Sequence, residues 1–177
     1  MILKMIQMKN LIYALVTVFV FSSCEQQKMA YMDNGKVINE YQGKIDVEEK
    51  FKVLDETFKK KTDSVGEAFQ LEAQAFQLES QKLSQEEAQA KYQELSQKQQ
   101  YLQQQTQFQQ QQMQQAFQVE IDSAIVEVKD FVKDYGKKNG YTYILGTSDA
   151  AASVLYGTEE NDLTETIIEA LNTAYKK

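Results

Sequence analysis

The chain has 177 residues with 19 basic and 26 acidic side chains, a net charge of −7, no histidine, no proline and one cysteine. So acidic a chain is a poor partner for nucleic acid or anionic lipid. Without histidine, a second cysteine or a GxxxxGK[ST] loop, no catalytic constellation, metal site or nucleotide cofactor is expected.

The first ten residues hold Lys4 and Lys9 and no acid, and residues 11–21 (LIYALVTVFVF) are almost wholly apolar. That run is too short to span a bilayer, which takes about 20 apolar residues, but it suits the hydrophobic part of a secretion signal. FSSC follows, ending on Cys24, and resembles a bacterial lipoprotein signal in which the cysteine is acylated. Residues 1–23 are therefore expected to be a lipoprotein signal peptide, with Cys24 as the lipidation site anchoring the protein to a membrane. Loss of residues 1–23 removes two lysines and no acid, leaving 154 residues at a net charge of −9.

Residues 44–138 are expected to form a helical hairpin. Only Gly66 interrupts residues 44–135. Phe51, Leu54, Phe58, Val65, Phe69, Phe76 and Leu83 recur at steps of three, four and seven, one stripe of a helix over 44–81. Ser84 followed by Glu87 reads as a capping box, so a second helix starts at Gln85 and turns back antiparallel, with the tip near 82–85. Its seam runs through Ala88, Tyr92, Leu95, Gln99, Leu102, Thr106, Gln109, Met113, Phe117, Ile121, Ile125, Val128 and Val132 to Tyr135, polar at Gln99, Thr106 and Gln109 and apolar at nearly every step beyond. The segment 97–118, QKQQYLQQQTQFQQQQMQQAFQ, holds a single charge, Lys98. It keeps the helical period throughout, and glutamine is a good helix former, so the tract reads as a helix wall and not as a disordered run.

The flanks, 24–43 and 139–177, read differently. MAYMD (29–33), YTYIL (141–145) and ASVLY (152–156) have the composition of short strands. Asp162 and Glu165 form a cap-like pair before a closing helix whose apolar face is Leu163, Ile167, Ile168 and Leu171. The charged loop TEENDLTE (158–165) reads as the approach to that helix, not as a cation site. The fold class is α+β and mostly α: a long antiparallel coiled-coil arm projecting from a small β-strand body. Strands this few and short make a marginal sheet alone, so association through the body is expected.

KMAYMDNGKVINEYQGK (28–44), KLSQEEAQAKYQEL around the tip and NGYTYILGTSDAAASVLYGTEENDLTETIIEALN (139–172) together resemble the Skp/OmpH family of periplasmic chaperones. The resemblance implies a homotrimer whose strands build a central body, with three arms around a cavity. Such an assembly holds unfolded outer-membrane proteins without ATP, in the periplasm of a Gram-negative bacterium. On that reading Tyr92, Tyr101, Phe108, Phe69 and Phe76 are client-binding candidates, and the glutamine wall over 99–119 faces the client. Phe69 and Phe76 also fit the hairpin seam. The alternative is a structural envelope lipoprotein, a coiled-coil spacer for one folded partner. It accounts for the anchor and the arm but not for the resemblance at both ends.

Overall fold

The computed structural model describes residues 27–148 and 153–176. The signal segment 1–23, Cys24 and Ala152 lie outside the described residues. Strand β1 (Met29–Asp33) leads into helix α1 (Asn34–Asn39), the long α2 (Gln42–Glu79), a 3-10 turn (Ser80–Lys82) and the longer α3 (Gln85–Lys138). Strand β2 (Tyr143–Thr147), a second 3-10 turn (Glu159–Asn161) and α4 (Thr164–Tyr175) complete the chain.

β1 and β2 pair in parallel, Met29 opposite Tyr143 through Asp33 opposite Thr147. Parallel pairing requires a long crossover, and here the whole hairpin supplies it by travelling out and returning to the end from which it left. On its other side β1 is held by a bridge between Tyr31 and Asp162, with the Leu163 amide donating to the Tyr31 carbonyl at 2.8 Å. β1 is thus the central strand of the body. Its alternate residues Ala30 and Met32 point inward, as a two-residue period requires. They meet Val37 and Tyr41, Ala124 and Val128 of α3, and Leu163, Ile167, Ile168 and Leu171 in and before α4. This single core lies at the root of the hairpin.

Both ends of α3 carry the chemistry a long helix needs. The Ser84 side chain accepts from the Glu87 amide, and the Glu87 carboxylate accepts from the Ser84 amide at 2.9 Å, a complete capping box. At the far end the Gly140 amide reaches the Lys137 carbonyl and the Tyr141 amide the Gly136 carbonyl. Those two bonds make a Schellman closure, which places Gly140 at φ +71°, a region that favours glycine.

Two expectations need correction. The body strand begins at Tyr143 and runs to Thr147, because Tyr141 is still engaged in closing α3 and packs its ring on Tyr135. Nor is there a third strand: Ser153–Tyr156 has no ladder partner among the described residues, and Leu155 and Tyr156 are 93% and 86% exposed. Their apolar composition is that of a strand, but β1 is already paired on both sides and, among the described residues, they do not add to the free edge of β2.

Candidate binding surface of the arm

The hairpin is antiparallel, since Lys50 pairs with Glu120 near the root at 2.6 Å while Glu72 pairs with Lys98 nearer the tip. Phe51 packs edge-on against Phe117 at 5.3 Å between centroids. Beyond that contact burial falls away. Along residues 44–117 only Phe51 and Leu95 are buried among the large apolar side chains. At about 1.5 Å per residue α2 extends roughly 57 Å and α3 roughly 81 Å, far past the core. The arm is therefore a two-helix rod with most of its side chains in solvent.

The structure divides the five candidate aromatics into two groups. Phe69 and Phe76 are half-buried in the seam, as heptad positions should be. Tyr92, taken from sequence as a seam position, is 67% exposed and stands at the rim of a cleft between the helices. Tyr101 and Phe108 are 62% and 59% exposed on the side of α3 away from the seam. Val119 and Val126 lie on the same side and are also exposed. The steps of seven, eleven and seven place all four on one stripe of the helix. Sequence reasoning named the first two, included Val119 only as the end of the glutamine wall, and missed Val126, although the spacing was there to be read.

Between the helices two adjoining clefts of about 370 and 320 Å³ open over residues 62–77 and 92–107. Phe69 and Gln99 line both, over a floor that includes Phe76, Leu95 and Leu102. A third cleft near the root, of about 260 Å³, includes Glu48, Lys52 and Asp55 in its lining. The two distal clefts have no charged lining residue at all. The charges of that region sit on the other flank of the seam, where Glu72 meets Lys98 and, at 3.9 Å, Lys91. Both lysines hold the Glu72 carboxyl below its usual range, the Lys98 hydrogen bond most of all.

At the arm's root the buried Tyr41 donates to Glu127 of α3 at 2.6 Å, and Tyr175 of α4 donates to Asp46 of α2 at 2.9 Å. The two rings meet edge-on at 5.5 Å. Burial first, then the Glu127 carboxylate, pushes the Tyr41 hydroxyl well above the usual phenol range. Hydrogen bonds from Gln42 and Tyr175 hold Asp46 below its ordinary value. This cluster fixes the angle at which the arm leaves the body. It holds no reactive group, and no three His, Cys, Asp or Glu side chains converge on a metal position among the described residues.

The outer face of the sheet is apolar too. Met29 sits opposite Tyr143 and Tyr31 opposite Leu145, and of these Met29, Tyr143 and Leu145 are exposed. Comparison with known proteins bears on both the body and the arm. Residues 28–171 match the family of outer membrane proteins described as OmpH-like. Among solved structures the chain is similar to a candidate outer membrane chaperone (OmpH-like) from Caulobacter crescentus CB15, determined at 2.83 Å resolution. The TM-score is 0.73 at 14% identity, covering 84% of this chain and 85% of that one, a likeness of fold. No match is found among curated proteins. The family match runs from β1 through the whole hairpin into α4, so the chain belongs to the OmpH-like outer membrane protein family.

Proposed function

We propose that the protein is an ATP-independent holdase for unfolded outer-membrane β-barrel proteins, working in the periplasm as a homotrimer tethered through an acylated Cys24. The observation that carries this reading is the surface of the arm. Residues 99–119 hold no charge, and they present glutamines and the exposed Tyr101 and Phe108 on a rod that has no folded neighbour in its own chain. Amides offer donors and acceptors to an unpaired backbone, and aromatic faces take apolar side chains without demanding one sequence. Such a surface suits many unfolded clients better than one folded partner.

The trimer rests on the body. Among the described residues, an exposed apolar sheet face, an open edge on β2 and the exposed Leu155 and Tyr156 together make a surface that a monomer gains nothing by exposing. The tether from Cys24 to Met29 reaches at most about 17 Å, which would hold the body close to the membrane.

Site-specific photo-crosslinking tests this against a spacer lipoprotein. A crosslinker placed at Tyr101 or Phe108 is expected to trap a range of unfolded barrel proteins. Capture of a single folded partner in fixed ratio would replace the holdase with the spacer.

A further inference from the structure

Resting on the holdase reading, we propose that the uncharged cleft between α2 and α3, over residues 62–77 and 92–107, seats one extended segment of the unfolded client. The first support is the space itself. Protein interiors are packed to crystal density, and an unfilled seam forfeits contacts on both walls. Yet Gly66 stands in the wall of this cleft, and a Cβ built on it would meet nothing within 4 Å. A leucine there would continue the helix and fill the gap. Instead α2 carries the residue that is worst for helix stability apart from proline.

The second support is the segregation of charge. A quarter of the chain's residues are charged, but none lines these two clefts. At about 100° per residue, Gly66, Ala73 and Gln77 fall on one flank of Phe69, and Glu72 falls on the other. On α3, Ser96, Gln103 and Gln107 share the open flank, whereas Lys91 and Lys98 share the closed one. The ion pairs clasp the hairpin along one edge and leave the other neutral.

The third support is the chemistry of the lining, which selects an extended chain over a third helix. A helix satisfies its own backbone and would present only side chains to the glutamine walls. An extended segment carries unpaired N–H and C=O groups outward in the plane of the chain. Gln77, Gln99, Gln103 and Gln107 can answer both. Its alternate side chains point down to the Phe69, Phe76, Leu95 and Leu102 floor. The cleft is about 22 Å long, which admits roughly six or seven extended residues. Release follows without nucleotide, because a client that pairs its strands with one another withdraws the same backbone groups from the glutamines.

The test uses the full mature protein and a urea-unfolded outer-membrane β-barrel protein, followed by its dissociation rate after dilution. Gly66→Leu is expected to keep helicity and assembly and to release the client at least about five-fold faster. Gln103→Glu with Gln107→Glu places two carboxylates at the mouth of the cleft and is expected to do the same. Ser64→Glu with Gln74→Glu adds equal charge on the outer side of α2, off both clefts and outside the glutamine wall, and should leave release unchanged. Capture by the parent protein with unaltered release in the first two variants overturns the cleft and leaves the holdase standing. Equal acceleration in the outer-side control also overturns the cleft, since the effect is then bulk charge. A parent protein that captures no unfolded barrel removes the holdase reading and the cleft together.

Discussion

Tyr41 shows how much a single residue carries in a body this small. Its ring is buried in the core, and its hydroxyl leaves that core only to donate to Glu127, 86 positions away along the chain. Gly43 has no Cβ to occupy the place where the Tyr41 ring lies, since one built there would come within 2.6 Å of it. Removing the hydroxyl alone keeps the packing and deletes the bond. Tyr41→Phe should therefore cost roughly 2 kcal/mol, as expected for a bond to a carboxylate, read as a lower denaturation midpoint with an unchanged denaturant slope. A loss of helicity in the arm would instead mean that the ring itself had moved. Lys28 plays a similar part at lower stakes, with its ammonium 4.0 Å over the Tyr141 ring and 3.1 Å from the Asn139 carbonyl. It ties the start of β1 to the end of α3.

At the level of elements, the tip of the hairpin depends on three residues. Leu83 is extended, Ser84 caps α3, and the Glu87 carboxyl is held below its usual range by the Ser84 hydroxyl and amide. Ser84→Ala should cost about 1 kcal/mol. Because so little is buried beyond Leu95, the loss should appear as faster amide exchange confined to the tip, with global stability of the body unchanged. This tip was legible in the sequence, as were α3 to the residue and most seam positions, because helix periodicity and capping are local signals. The strands were harder. β2 could be located only to within two residues, since its start is set by the Schellman closure at Gly140, and Ser153–Tyr156 was misread because strand composition does not reveal whether a partner is present. Asp162 does accept from the Thr164 amide at 2.9 Å, but Glu165 turns away from the cap to pair with Lys36. The clefts were out of reach of sequence, because they depend on which side of each seam residue faces the returning helix.

For the whole molecule, the parts divide cleanly into a packed root and an underpacked arm, and charge follows the same division of labour. The core is apolar, while the ion pairs run along the arm and the surface of the body. With no histidine, nothing of ordinary pKa titrates near neutrality. At low pH the groups that matter are Asp46, Glu72 and Glu87, all held below ordinary values of 3.8 or 4.5. A depressed folded value means that their contribution is complete above the unfolded value and disappears as pH falls through the folded one. At high pH they are Tyr41 and Tyr175, raised above 10.0, and Lys36 and Lys91, raised above 10.5. For these the contribution is complete below the unfolded value and fades as pH climbs past the folded one. The melting temperature of the protein should accordingly be flat from about pH 5 to about pH 9 and fall on both sides. A step between pH 6 and pH 7.5 would contradict this, since it would need a carboxylate raised into that range by a neighbouring like charge.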